Sequence, residues 1–523
     1  MPTMNGAISI DNARIWTGDP QRPWAGSISI RNGRIESLDG LPAVKSRWDA
    51  GGRFVLPGLI DAHLHLLLGG QSLDRLDLSA VSSRDEFERA IADRSRELAK
   101  DDWLIAFGWT SEHLGADTDS GEPDKSWLAG AGDRPVVCYR MDHHAVLVND
   151  AVLSRCDLRS VPSTGQVIRH RETGEPTGVL LEAAAWERVN PIIPQPIVEQ
   201  KLLALRRAQQ HCHSTGLTSI GSMEYIEDVV TVFAPMRHEL TLRCRVTILD
   251  RPPMAPGGAP PFERTRSVAA DDHLEIIGFK SFIDGTLGSR TARMLDDYAD
   301  DPGNRGMLVE LAAQDGLAEW VRGVAAAGYS PSMHAIGDEA VRIALDAIDE
   351  AEQCAPHLHG RIEHAQHVAA PDLKRFRSRI ASMQPLHKVD DAMYAARCLA
   401  APQLAGMFAF QSLLEAGVML AFGSDWPIVS CDPMSGMAAA ITGRNGHGEI
   451  VAPRQNLRVE QALAAYTGGS ARALRMSDAG MLREGFAGDC VVLDRNPFQS
   501  DWNDGPPRVL LTISGGEVVY DAR

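Results

Sequence analysis

The chain has 523 residues, 44% of them hydrophobic and 23% charged, with a formal net charge of −17. That composition describes a soluble globular protein too long for one ordinary core, and the acidic balance argues against nucleic acid and anionic membrane surfaces as partners. No apolar run is long enough to span a bilayer, and the eight scattered cysteines form no C-x-x-C pair, which predicts reduced thiols and a cytoplasmic location.

The N-terminus, "MPTMNGAISIDNARIW", has no basic stretch leading into an apolar segment, so no secretory signal is expected. The first part of the chain reads as strands. In "GSISIRNGRIESL", Ile28, Ile30 and Ile35 alternate around Asn32-Gly33, a hairpin signal. The C-terminus answers with "DCVVLDRNPF" and "RVLLTISGGEVVYDA", the second turning at Gly515-Gly516. Neither piece can bury a core alone, so residues 1–56 and 476–523 are expected to share one small β-sandwich.

Between them, β-rich runs alternate with helical ones. The runs are "FVLPGLIDAH", "LTSIGSME", "LRCRVTIL", "EIIGFKSFIDG", "YSPSMHAIGD", "GRIEHAQ", "IASMQPLH" and "GVMLAFGSDWP". Eight such runs predict an α/β fold, a parallel (β/α)8 TIM-type barrel over 57–70 and 205–475. Roughly 145 residues separate the first run from the second, far more than a crossover helix needs. Residues 71–204 are therefore expected to be an insertion covering the barrel mouth.

Three H-x-H pairs occur. His211 and His213 close a helical pattern, where residues two apart diverge by about 200°; basic side chains at a helix end account for them. His357 and His359 follow a proline in a connecting loop. His63 and His65 differ, because residues two apart on a strand share a face, here the inner face of the barrel. Inward imidazoles need polar partners in an apolar interior, and a metal ion supplies them. His334, His364 and Asp425 fall at the ends of the fifth, sixth and eighth runs, on the face where barrel active sites gather. That donor set suits zinc or a neighbouring transition metal.

Lys280, on the fourth run, would repel cations as an ammonium and is costly to bury. A neutral amine can take up CO2, and the resulting carbamate offers two oxygens and a negative charge to bridge two metals. The alternative is an ion pair with a carboxylate such as Asp284.

These residues resemble the metal-dependent amidohydrolase superfamily: the H-x-H after "LPGLID", the lysine of strand four, single histidines on strands five and six, and the aspartate of strand eight. "FKSFIDGTLGSRTA", "HAIGD", "RIEHAQ", "SMQPLH" and "GSDWP" resemble the branch (amidohydrolase family 3) that contains N-substituted formamide deformylases. The resemblance implies two divalent ions, with His63, His65 and Asp425 at one, His334 and His364 at the other, and carboxylated Lys280 between them. It also points to His144, in "MDHHAVLVN", as facing substrate; Leu147 stands there where the family usually has an aromatic. Arg290 and His387 are further substrate-pocket candidates, with a surface ion pair the alternative for Arg290.

The expected activity is cleavage of an amide-type C–N bond, in an N-substituted formamide or other N-acyl compound, by a hydroxide bridging the two ions. Asp425 would serve as base and then acid. The alternatives are hydrolysis of an ester, lactone, cyclic amide or phosphoester at the same site, or a barrel that binds ligands without catalysis. A homodimer is also an expectation, since barrels of this size often pair.

Overall fold

The computed structural model describes residues 7–40, 46–110, 114, 123–141, 143–161, 164–250, 262–353, 355, 359–377 and 379–523. Eight parallel strands form its central sheet: Leu59–Leu64, Leu217–Glu224, Arg243–Leu249, Leu274–Phe282, Ser330–Ala335, Arg361–His364, Ile380–Met383 and Met419–Phe422. All eight match the expected runs, two of them reaching one residue beyond: Leu64 past the first and Leu274 ahead of the fourth. The first run divides at Gly58: Phe54–Pro57 joins the sandwich, and only Leu59–Leu64 enters the barrel.

The barrel closes just beyond its ladders. The Asp425 amide donates to the His63 carbonyl at 2.6 Å, and the His65 amide to the Trp426 carbonyl at 2.8 Å. The Asp61 carboxylate accepts the Ser424 amide at 3.0 Å and the His63 amide at 2.9 Å. This approach is close enough to need glycine at 423, where a Cβ would lie 2.6 Å from the His63 nitrogen and 2.7 Å from Asp61 Oδ1. The first and last strands are thus pinned where their ends carry His63, His65 and Asp425.

Both chain ends contribute to the sandwich. A four-stranded sheet (Ile8–Asp11, Ile28–Arg31, Arg34–Leu38, Ser46–Asp49) packs on a six-stranded one. The latter joins Arg14–Trp16, Trp24–Ala25 and Phe54–Pro57 to Cys490–Leu493, Val509–Ser514 and Glu517–Asp521. Ile10, Ile28, Ile30, Val55, Val492 and Ile513 share one core. Both two-residue turns have the doubly left-handed backbone expected of a tight hairpin, with φ of 50° and 75° at Asn32-Gly33 and 56° and 77° at Gly515-Gly516.

The chain between the first two barrel strands builds a six-stranded sheet, in the order Gly165–Arg169, Pro176–Glu182, Ala145–Val148, Val136–Arg140, Leu104–Trp109, Leu76–Asp77. It has apolar packing on both faces. Leu104, Trp109, Trp127 and Leu147 lie in one cluster, and Val137, Val146, Val148 and Leu180 in another. Leu147, at the position where an aromatic was expected, is therefore part of this sheet's own core. No helix among the described residues is long and apolar enough to cross a membrane.

Candidate metal centre

His63, His65 and Asp425 offer ligand atoms that all lie within 4.8 Å of one another, and so do His364, His387 and Asp425. Asp425 is the member common to both groups. Its Oδ1 lies 3.1 Å from His65 Nε2 and 3.3 Å from His63 Nε2, and Oδ2 lies 4.0 Å from His387 Nε2. The tautomers are set from behind. His65 Nδ1 donates to the Met223 carbonyl at 3.1 Å, and His63 Nδ1 sits 2.7 Å from Glu363 Oε2, so each ring directs its Nε2 lone pair inward. His334 Nε2 donates to the Gly285 carbonyl at 3.2 Å, which leaves Nδ1 as its ligand atom. Its ring centroid is 4.5 Å from that of His364. His364 Nδ1 is buried with no hydrogen-bond partner among the described residues, an expensive arrangement for a site with no ligand to bind.

Burial holds the His65 imidazole below its usual pKa despite Asp425 beside it. His334 and His364 are pushed well below theirs, by burial first and then by the neighbouring imidazoles and Lys280. Burial would raise the Asp425 carboxyl, but His63 and His65 outweigh it and keep the group well below the carboxylate range. Burial and Lys280 work to lower the pKa of the His63 imidazole, but Asp425 and Glu363 outweigh them and raise it. At His65, His334 and His364 a lowered imidazole pKa beside an ionised carboxylate matches the protonation states that a divalent cation requires. The donor set fits zinc and its neighbours.

Lys280 joins this cluster. Its Nζ is 3.0 Å from His63 Nε2 and 4.8 Å from the centroid of the Phe282 ring, and the residue is only 1% exposed. Asp284, the alternative partner for it, accepts instead from the backbone amides of Arg293, Ile336 and Gly337 at 2.8–3.1 Å.

A second layer lies beneath. Glu363 Oε1 accepts from Arg361 Nε at 2.8 Å and from the Ser332 hydroxyl, and Arg361 also donates to the Ala62 carbonyl. Burial would raise the Glu363 carboxyl, but Arg361 and His63 hold it well below its usual range. Glu363 is therefore an anion that fixes the His63 ring. Substituting Glu363→Gln should weaken zinc affinity roughly 10–100-fold, read by chelator competition. Affinity within twofold of the parent would show that the contact does not orient His63.

Left-handed backbone recurs at the site, with φ of 71° at His364, 64° at Asp425, 57° at His143 and 50° at Glu182. Non-glycine residues hold this conformation only where their surroundings over-determine it. At His364 it has a visible use. Strand alternation turns Arg361 and Glu363 inward, and the left-handed step lets the next side chain, His364, also reach His63, with ring centroids 5.1 Å apart.

The insertion reaches the centre through His144 and Trp186. The His144 ring lies 5.4 Å from that of His334, and Trp186 packs edge-on against His144 at 5.1 Å. His387 stacks on His364 at 5.9 Å. Arg290, the third pocket candidate, spends its donors nearby: Nη2 pairs with Asp300 at 2.7 Å, and Nη1 reaches the Leu287 and Gly288 carbonyls. The ion-pair alternative describes it. His213 is a satisfied buried histidine, with Nδ1 on the Leu217 carbonyl and Nε2 on the Thr241 hydroxyl, while His211 stacks on Trp426. His359 is exposed and His357 lies outside the described residues. Glu363, Arg361 and Glu182 were not foreseen. The sequence signal for the first two was available, since Arg361 and Glu363 are two apart on a barrel strand and must share the inner face.

The sequence pattern of the amidohydrolase family (Amidohydro_3) matches residues 48–520. The chain belongs to the amidohydrolase family. It is 31% identical to the Protein LONG AFTER FAR-RED 3 of Arabidopsis thaliana over 98% of this chain and 91% of that protein. It is 23% identical to the N-substituted formamide deformylase of Arthrobacter pascens over 98% of each. Among solved structures, an uncharacterized metal-dependent hydrolase from Pyrococcus horikoshii superposes with a TM-score of 0.74 at 26% identity, covering 96% of this chain and 99% of that one. This family member is a barrel with side chains suited to a metal at its strand ends.

Proposed function

We propose that this amidohydrolase cleaves the C–N bond of small N-acyl compounds, N-substituted formamides among them. The centre would hold two divalent ions, most simply zinc, with His63, His65, Lys280, His334, His364 and Asp425 as the holding residues. The observation that carries this reading is the convergence of His63, His65 and Asp425 at the mouth of the barrel with Lys280 3.0 Å from His63. The full-length likeness to a formamide deformylase supports the choice of bond. When bound, the ions supply an activated water and polarise the substrate carbonyl.

The chain's own residues carry the rest. An amide nitrogen leaves readily only if it is protonated as the bond breaks, so one group must take a proton from water and pass it on. Asp425 is the ionised carboxylate in place for both transfers. His144 and His387, on opposite sides of the His334–His364 pair, are the donors positioned to meet charge growing on the carbonyl oxygen.

Protein expressed with supplemental zinc, manganese or iron should carry at least one equivalent of metal. It should turn over formanilides or other N-acyl amines faster than matched esters or phosphoesters. Preferential ester or phosphoester turnover would overturn the choice of bond. Less than one equivalent of metal with no turnover would favour a barrel that only binds.

A further inference from the structure

One buried carboxylate beside the centre has no task in the chemistry above. Glu182 ends the insertion strand Pro176–Glu182, is fully buried and has a left-handed backbone. Its contacts show what holds it there. Its amide donates to the His144 carbonyl at 2.9 Å, and its Oε2 lies 2.9 Å from His144 Nδ1. Its Oε1 accepts from the Thr291 hydroxyl at 2.5 Å.

Thr291 belongs to the loop after the fourth barrel strand, and its hydroxyl also receives the Thr286 amide at 3.0 Å. Gly285 of the same loop leaves no room for a side chain, since a Cβ there would run into both Thr291 Oγ1 and Glu182 Oε1. The Gly285 carbonyl is the one that His334 engages. A single carboxylate thus links His144, from the insertion, to the barrel loop that also orients His334.

The Glu182 oxygen 2.9 Å from His144 Nδ1 is an acceptor, so that nitrogen is the one that carries the proton. We propose that Glu182 is a positioning residue for His144: it holds the imidazole as the Nδ1–H tautomer and in one orientation, braced by Thr291, so that Nε2 is the nitrogen presented to substrate. What His144 then does rests on the hydrolase reading. What Glu182 does to His144 does not.

Three variants and two readouts test this. Glu182→Ala removes both contacts. Glu182→Gln keeps an acceptor for His144 while its amide group can meet the Thr291 oxygen. Thr291→Val removes only the brace. Turnover is measured on the best N-acyl substrate, and the Nδ1–H resonance of His144 is followed in protein labelled with 15N-histidine and assigned by its loss in His144→Phe.

Glu182→Ala should lower kcat roughly 100-fold with KM changed less than about threefold, and lose the resonance. Glu182→Gln should keep the resonance and recover to within about tenfold of the parent. If Glu182→Ala does not fold, Thr291→Val decides, with an expected loss in kcat of about tenfold and the resonance retained. Unchanged kcat in whichever of these folds, an unchanged resonance in Glu182→Ala, or a Gln variant as damaged as the Ala variant would overturn the assignment. Should the parent hydrolyse nothing, the hydrolase reading fails, and the resonance alone decides the role of Glu182.

Discussion

Replacing Asp425 by asparagine should leave a folded, metal-competent barrel that has lost about three orders of magnitude in kcat. The substitution is chosen for its backbone as well as its shape. Asp425 sits at φ of 64°, where asparagine is among the few residues that fit, so the strain an alanine would add is avoided. The amide hydrogen bond to His63 that closes the barrel belongs to the main chain and survives. What changes is the side chain. A carboxylate held ionised by His63 and His65 becomes a neutral amide that cannot take a proton from water. Activity on the best N-acyl substrate, metal content and thermal midpoint are the three measurements. Turnover within tenfold of the parent, with metal intact, would remove Asp425 from proton transfer.

Much of this centre was legible in the sequence because the barrel imposes two simple rules. Residues two apart on a strand share a face, and side chains at strand ends meet at one rim. Those rules brought His63, His65, His334 and Asp425 to one rim without coordinates; the structure sets His63, His65 and Asp425 within reach of one another and places His334 against His364, which in turn packs on His63. The same rules hid Glu182. It lies on a separate sheet whose strands are held by their own cores, and nothing in "GVLLEAAAW" fixes the register that sets Glu182 against His144. In the sequence, Arg290 has two readings for a related reason. A basic residue in a glycine-rich loop can turn toward the pocket or back along the loop, and here Asp300 and two carbonyls decide it. The first barrel run is continuously apolar, and the expected boundary between sandwich and barrel, after residue 56, falls inside it. It divides at Gly58 because one half pairs with Cys490–Leu493 and the other with Leu217–Glu224.

Lys280→Ala should also be severely impaired, through a different failure. An ammonium at this position would be buried among His63, His334 and His364 and would face any cation they hold. Removing such a charge from water costs several kcal/mol, and the neighbouring Asp284, already engaged by three amides, does little to offset it. In the proposed centre, loss of the proton and addition of CO2 would resolve the conflict: the free Nζ lone pair would bond to the carbon, a proton would leave, and a carbamate anion would take the place of a cation. Alanine would remove that proposed anion and leave a space of its shape. Metal content should therefore fall from two equivalents toward one and kcat by at least about 100-fold, with partial recovery in acetate or propionate, whose carboxylates can occupy the space. Parent protein supplied with 13C-bicarbonate should show a carbamate carbon resonance that the variant lacks. Two equivalents of metal in Lys280→Ala without any added acid would mean that the lysine is not modified to bridge the ions, and that the histidines and Asp425 hold both ions unaided.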